Sequence, residues 1–166
     1  MTHASERLHR AYIGLGANLD SPARQLKAAL EALAAMPALE VVACSSLYAS
    51  SPVGVIEQPD FINAVALIET PHSPHELLAV LLEAERAAGR VRKERFGPRT
   101  LDIDILLFDD LQLDDPALTV PHPRMHERAF VLKPLLELAP DVLIPGRGPA
   151  VKWLETVADQ RCERHD

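Results

Sequence analysis

Four runs of apolar residues alternate with two amphipathic segments along this chain of 166 residues and predict its secondary structure. The apolar runs have the composition and two-residue period of strands, expected at 11–16, 39–48, 61–70 and 101–108. The amphipathic segments have a helical period and are expected to form helices at 22–36 and 74–88. Both helices are predicted to start at a proline that follows an N-capping serine, Ser21 or Ser73, and Glu76 completes a capping box with Ser73.

The order strand, helix, strand, strand, helix, strand predicts an α+β fold with a ferredoxin-like βαββαβ core. Such a core has a mainly antiparallel sheet with helices packed on one face, which leaves the other face for a ligand. Residues 1–10 are predicted to be a flexible leader and residues 11–166 a single domain. The residues from Leu132 to about Ala158 are expected to form a C-terminal helical extension.

The last predicted strand carries two acidic residues. Alternation places Asp102 and Asp104 together on the face opposite Ile103, Ile105 and Leu107. Neighbouring carboxylates repel each other, and burying them without a partner is costly, so a cation is expected between them. Oxygen ligands that are completed by phosphates and water are typical of a magnesium site. The alternative is an edge strand whose outer face is solvated.

A basic segment directly precedes this strand. Residues 86–99 contain six basic residues and one acidic residue, a local charge of +5, in a chain whose net charge is -7. Such a cluster in an acidic protein indicates a site for a polyanion, and arginine side chains suit phosphate oxygens. Together with the aspartate pair, the segment predicts a magnesium–nucleotide site. A solvated, charge-rich loop is the alternative.

Further candidates lie on the third strand, the second helix and the first strand. Phe61 and Asn63 share one face beside the long loop 50–60, where a ring and an amide could stack on a heterocycle and pair with its edge. A core role is the alternative for Phe61. Glu85 falls on the apolar stripe of its helix, either paired with an arginine or part of the site. Gly14-x-Gly16 lacks the third glycine of a dinucleotide motif and is a weak signal.

Composition excludes several classes of protein. Apolar residues make up 48% of the chain and charged residues 25%, which is typical of a globular domain. The negative net charge argues against nucleic acid as a partner, and no uncharged apolar segment is long enough to span a membrane. The two cysteines, Cys44 and Cys162, have neither metal-type nor disulfide-framework spacing, which fits a reducing cytoplasm.

Two runs of this sequence, Gly89–Lys93 and Phe96–Asp104, resemble the signature of the 6-hydroxymethyl-7,8-dihydropterin pyrophosphokinase family. The resemblance extends from about Ala11 to about Pro145. It implies a monomeric, cytoplasmic enzyme of folate biosynthesis that transfers pyrophosphate from ATP to the hydroxymethyl group of the pterin and releases AMP. Phe96 and Pro123 stand where many members have a tryptophan and another aromatic residue.

The resemblance also implies roles for particular residues. Catalytic roles fall to Arg90, Arg99, Asp102 and Asp104, and the two aspartates are expected to hold two Mg²⁺ ions. ATP is expected to contact Glu85, Arg90, Arg92, Arg99, Ile105, Thr119, His122 and Arg128. The pterin is expected to contact Ser50, Val53, Phe61, Asn63, Phe96 and Phe130.

Two other functions fit the pattern of residues. One is a non-catalytic ferredoxin-like module that binds a small ligand or RNA, although aspartates on the open sheet face argue against RNA. The other is a metal-dependent nuclease or phosphatase that uses the same aspartate pair. Release of AMP from ATP in the presence of the pterin would separate the three functions.

Overall fold

A six-stranded antiparallel sheet is the centre of the computed structural model, which describes residues 7–19, 21–52, 58–87 and 101–165. Within these residues, three α-helices, two 3-10 helices and two short hairpins surround the sheet. In chain order the elements are β1 (His9–Ala17), α1 (Pro22–Ala34), β2 (Glu40–Cys44), β3 (Tyr48–Ser50), β4 (Phe61–Thr70), α2 (Pro74–Ala87), β5 (Asp102–Phe108), β6 (Leu113–Asp114), β7 (Thr119–Val120), a 3-10 helix (Met125–Glu127), α3 (Ala129–Leu138), β8 (Leu143–Ile144), β9 (Gly148–Pro149), a second 3-10 helix (Ala150–Val157) and β10 (Cys162–Arg164).

The order of the strands confirms the predicted α+β fold class. The sheet runs β10–β3–β4–β1–β5, and β2 also pairs with β4. The four predicted strands therefore lie in the spatial order fourth, first, third, second, the order of a ferredoxin-like sheet. In the part of the chain that the structure describes, no helix combines the length and the apolar character needed to cross a membrane.

The start of α2 confirms the predicted capping box. At α1, Ser21 holds the predicted N-cap position and Pro22 starts the helix as predicted, but the serine side chain does not cap it. The Ser73 N–H donates to Glu76 Oε1 over 2.8 Å, and the Glu76 N–H donates to Ser73 Oγ over 3.2 Å. Ser21 instead has a left-handed backbone, with φ 60° and ψ 67°, and its side chain makes no capping hydrogen bond. An N-capping hydroxyl needs an extended backbone to reach the first turn, which explains the difference.

The second predicted strand, 39–48, is divided into β2 and β3, which pair with successive parts of β4. Ser45 lies in the break. Its N–H donates to the Val65 carbonyl over 2.9 Å, and its Oγ accepts the Val65 N–H over 2.9 Å. The hydroxyl thus replaces one backbone bond of the ladder, so the chain changes direction without leaving a buried N–H unpaired.

A β-bulge near the end of β5 changes the predicted alternation. β5 has one residue more than β1 between the pairs formed by Ile105 and Leu107. We call the side of the sheet that carries Ile103 and Ile105 the first face and the opposite side the second face. Because Leu106 is the extra residue, Leu107 packs beside it on the second face, whereas Phe108 packs on the first face. The prediction that Leu107 shares a face with Ile103 and Ile105 is therefore wrong, because one inserted residue reverses the side of every residue after it.

Helices cover both faces of the sheet, contrary to the prediction of one. On the first face, α1 and α2 bury Leu26, Leu33, Leu77 and Leu81 against the strands. On the second face, α3 buries Leu132 and Leu135 beside β4, so only part of this face is left for a ligand.

The predicted helical extension also differs: it contains α3, the β8–β9 hairpin and a 3-10 helix, after which β10 joins the sheet. At the other end, β1 begins at His9, inside the predicted leader.

Replacing Ser45 by alanine is expected to lower the free energy of unfolding by about 1–3 kcal/mol, because the buried Val65 N–H loses its acceptor. Urea denaturation measures the change. Ser46→Ala is the matched control, since the Ser46 hydroxyl is exposed and its acceptor, Glu137, keeps the Tyr48 hydroxyl and the Ser46 N–H. A loss for Ser45→Ala no larger than that of the control would contradict the role assigned to Ser45.

Candidate functional site

A cavity of about 140 Å³ opens on the second face of the sheet, beside the start of α3. Residues of β1, β3, β4 and β5 form its floor and one wall, and the residues around the start of α3 form the opposite wall. The lining residues are Gly14, Leu15, Gly16, Ser50, Ser51, Phe61, Asn63, Ala64, Asp102, Asp104, Leu106, Arg128, Phe130 and Val131.

Two glycines on β1 form the middle of the floor. Gly16 stands opposite Asn63 on β4 and Asp102 on β5, and Gly14 stands opposite Asp104. Residues directly opposite each other point to the same face of a sheet, so the amide and the carboxylates face one space. A side chain at Gly16 would fill that space, because its Cβ would lie 3.0 Å from Asn63 Oδ1.

From the sequence, Gly14-x-Gly16 is only a weak dinucleotide motif, and this role of the two glycines was not predicted. The signal was present, since glycine inside a strand often marks close approach by a ligand or another group. The lining side chains of Ser51, Leu106 and Val131 were also missed; they are of types common in cores and loops.

Asn63 and Phe61 lie on one wall, as their spacing predicted. Asn63 is only 5% exposed, and its Nδ2 donates to Ser50 Oγ over 2.7 Å. This bond fixes the amide so that Oδ1 faces Gly16. Phe61 is paired with Ser50 across β3 and β4 and is half-buried at the cavity. The wall therefore offers one aromatic ring and one oriented amide.

Arg128 and Phe130 form the opposite wall at the start of α3. The Arg128 guanidinium carbon lies 5.5 Å from the centre of the Phe130 ring, within range of a cation–π contact. Burial lowers the pKa of Arg128, and the carboxylates of Asp104 and Asp102 oppose that shift. The guanidinium stays protonated, because its ordinary pKa is far above neutrality. A fixed positive charge thus faces the aspartate pair.

His122 is held near these charges by its backbone. Its N–H donates to the Leu106 carbonyl over 2.9 Å, and its Nδ1 accepts the Arg124 N–H over 3.1 Å. Burial lowers the pKa of His122 to about 4; the Arg128 charge adds to the shift and Asp102 opposes it. The imidazole is therefore neutral at pH 7, and because Nδ1 accepts a hydrogen bond, the proton is on Nε2.

The remaining predicted ATP residues of the described chain do not line this cavity. Thr119 lines a separate cavity together with His122. Glu85 is buried, and its Oε2 accepts the Ile103 N–H over 2.6 Å. That bond points away from β1. The backbone of Ile105, two residues further on, therefore faces the same outer edge of β5. The Ile105 side chain itself packs in the core of the first face.

Several predicted site residues lie outside the described part of the chain. They are Val53, Arg90, Arg92, Phe96 and Arg99. Their predicted roles stay predictions.

The aspartate pair fits a magnesium ion. Asp102 and Asp104 are both half-buried and line the same cavity, about 7 Å apart along the strand. Among the described residues, no group of three or more His, Cys, Asp and Glu side chains is arranged to hold a metal ion. A site with one or two carboxylates, completed by water and substrate phosphates, is the arrangement that Mg²⁺ prefers, whereas zinc sites need three or four protein ligands.

Comparison with known proteins identifies the family. Residues 12–140 match the model of the 7,8-dihydro-6-hydroxymethylpterin-pyrophosphokinase (HPPK) family. The chain therefore belongs to the HPPK family.

Individual relatives agree with this assignment. The chain is 50% identical over 138 residues to the 2-amino-4-hydroxy-6-hydroxymethyldihydropteridine pyrophosphokinase of Pseudomonas aeruginosa, covering 83% of this chain and 85% of the relative. It is 45% identical over 151 residues to the protein of the same name from Haemophilus influenzae, covering 91% and 94%.

Solved structures show the same fold. The wild-type Plasmodium falciparum HPPK-DHPS structure with pteroate matches with a TM-score of 0.73 at 13% sequence identity, covering 92% of this chain. A second wild-type structure, with STZ-DHP, matches with a TM-score of 0.69 at 16% identity, covering 93% of this chain. This chain spans less than half of those longer chains, 45% and 42% respectively.

His122 is expected to titrate near pH 4 in the metal-free protein, which an NMR titration of its ring protons measures. Arg128→Met should raise this pKa, because it removes a positive charge, and Asp102→Asn should lower it further, because it removes a negative charge. Since the folded pKa is below the ordinary value, His122 contributes stability above pH 6.5 that is lost as the pH falls towards 4. Titration near 6.5, or shifts of the same sign in both variants, would contradict this description of the site.

Proposed function

We propose that this chain, acting as a cytoplasmic monomer, transfers the pyrophosphoryl group of ATP to the hydroxymethyl group of 6-hydroxymethyl-7,8-dihydropterin and releases AMP, a step of folate biosynthesis. The observation that carries the proposal is the row Asn63–Gly16–Asp102 across the floor of one cavity. A heterocycle held by the amide would extend over the glycine towards the carboxylates. The names of the relatives support the pterin as substrate and the transfer of pyrophosphate.

The pterin would lie between the two walls of the cavity. Phe61 and Phe130 would contact the faces or rim of its ring, and Asn63, fixed by Ser50, would pair with its edge. Val53 and Phe96 are proposed to complete this site. In this arrangement the hydroxymethyl group points towards Asp102 and Asp104.

The phosphates would lie between the aspartates and the basic residues. Asp102 and Asp104 would hold Mg²⁺, with two ions expected, which supplies charge neutralisation and positioning of the phosphates when bound. Arg128 would neutralise phosphate charge from the opposite wall, together with Arg90, Arg92 and Arg99. Phosphoryl-group transfer depends mainly on positioning and electrostatic stabilisation, which these groups provide.

The nucleoside would lie towards the outer edge of β5, the one that faces away from β1. The backbone of Ile105 offers hydrogen bonds along that edge, flanked by Glu85 and Thr119. Neutral His122 would donate from Nε2 to a phosphate oxygen, since its Nδ1 is occupied by the Arg124 N–H. Its lowered pKa means that this contact does not depend on a positive charge at neutral pH.

The proposed reaction breaks the bond between the α- and β-phosphates. The hydroxyl oxygen of the pterin attacks the β-phosphorus and loses its proton to solvent, and the bridging oxygen leaves with AMP as the bond between it and the β-phosphorus breaks. The β- and γ-phosphates pass together to the pterin. A residue set that holds the outer phosphates favours this outcome over transfer of the γ-phosphate alone.

Product analysis tests the proposed function. With ATP, Mg²⁺ and the pterin, we expect one AMP for each pterin consumed and no ADP. The analogue with a methylene group between the α- and β-phosphates should inhibit without reacting, whereas the β,γ-methylene analogue keeps the bond that breaks and should react slowly. ADP as the product, or phosphate release without pterin, would refute the proposal and indicate an ordinary kinase or a phosphatase.

Asp102→Asn and Asp104→Asn are each expected to lower kcat by about a hundredfold or more, because each removes a negative oxygen ligand from a site where charge stabilisation dominates. Steady-state kinetics at several Mg²⁺ concentrations measure the loss, and thermal unfolding checks the fold. Asp110→Asn is the matched control, an exposed aspartate in the turn after the same strand. Turnover of either site variant equal to that of the control would remove the metal-binding assignment.

A further inference from the structure

The start of α3 has an unusual capping arrangement. The residue at the N-cap position is Arg128, whose backbone is extended, with φ -125° and ψ 113°, and whose side chain makes no capping hydrogen bond. Serine, threonine, aspartate or asparagine commonly occupies this position, since the first N–H groups of a helix lack partners inside the helix. An arginine cannot accept such a bond, and here its guanidinium faces the cavity instead.

Gln160, from the segment before β10, supplies the missing cap. Its Oε1 accepts the Ala129 N–H over 2.8 Å, and its Nε2 donates to the Glu127 carbonyl over 2.8 Å. These two backbone groups belong to the peptide units on either side of Arg128. One side-chain amide therefore holds both ends of the arginine's backbone and fixes the direction in which its side chain leaves the chain.

The segment that carries Gln160 is itself attached to the opposite wall of the cavity. Arg161 Nη1 donates to Asp60, the residue before Phe61, over 2.5 Å. Cys162 on β10 pairs with Ser50 on β3, and Ser50 holds the amide of Asn63. Lys133 on α3 donates to the Cys162 carbonyl over 2.6 Å. The C-terminal segment thus connects the Phe61 wall with the Arg128 wall.

We propose that Gln160 is a positioning residue for Arg128: it caps α3 from outside, so that the N-cap position is free to carry an arginine directed at the phosphates. The inference rests on the proposed function and deepens it. Gln160 lies beyond residues 12–140, the part of the chain that matches the family model.

The test compares Gln160→Ala, Gln160→Glu and the control Asp159→Ala, an exposed neighbour in the same turn. Gln160→Ala is expected to lower kcat/KM for ATP by roughly ten- to a hundredfold, as displacement of a positioned group does. Glutamate keeps the acceptor for the Ala129 N–H but has no donor for Glu127, so its loss should be intermediate. The control should behave as the wild type, and circular dichroism should show that all three variants are folded.

A double-mutant cycle with Arg128→Ala separates positioning from simple stabilisation. If Gln160 acts through Arg128, Gln160→Ala should cost less than about twofold once Arg128 is absent. The same comparison can be made from the affinity of the α,β-methylene ATP analogue with Mg²⁺, measured by calorimetry, which does not require turnover. Unchanged kinetics and affinity in Gln160→Ala, or an equal loss with and without Arg128, would overturn the inference.

The two proposals can fail separately. A wild-type protein that releases no AMP refutes the proposed reaction, whereas the calorimetric cycle still decides whether Gln160 positions Arg128. A wild-type protein that releases AMP, with Gln160→Ala variants equal to it, refutes only the positioning role.

Discussion

The pairing of β1 with β4 on one side and β5 on the other is the constraint on which the site depends. Antiparallel register sets Asn63, Gly16 and Asp102 opposite one another, so groups distant in sequence face one space. The two glycines keep that space open, since a Cβ at Gly16 would crowd the amide of Asn63. A shift of one residue in either ladder would turn the carboxylates or the amide to the opposite face and remove the site.

One face of the sheet is covered by packed helices, and the other is shared between a helix and the cavity. The first face packs α1 and α2 over a continuous apolar core, whose burial favours folding. The second face carries α3 and the cavity. Because of the bulge at Leu106, β5 contributes side chains both to the cavity and to the core under α3. Before the bulge the strand presents Asp102 and Asp104 to the cavity; after it, Leu107 helps to bury α3 on the same face.

The cavity places one fixed positive charge, on Arg128, close to the carboxylates of Asp102 and Asp104. Arg128 faces two carboxylates, and His122 is kept neutral by burial and by the nearby guanidinium. The first N–H of α3, that of Ala129, donates to Gln160, so the C-terminal segment contributes to the geometry of a site that it does not line.

The sequence by itself determined the order of the strands and helices, because each has a clear period. It also predicted that Asp102 shares a face with Asp104, and Phe61 with Asn63, because a two-residue period fixes which side chains of a strand lie on the same side. It did not determine the break at Ser45, the bulge at Leu106 or the helix on the second face, since these depend on which strands meet and in which register. The partner of Gly16 and the role of Gln160 were also decided only by the tertiary structure. Each acts on a group far away in the chain, and a local pattern carries no record of a partner that distant.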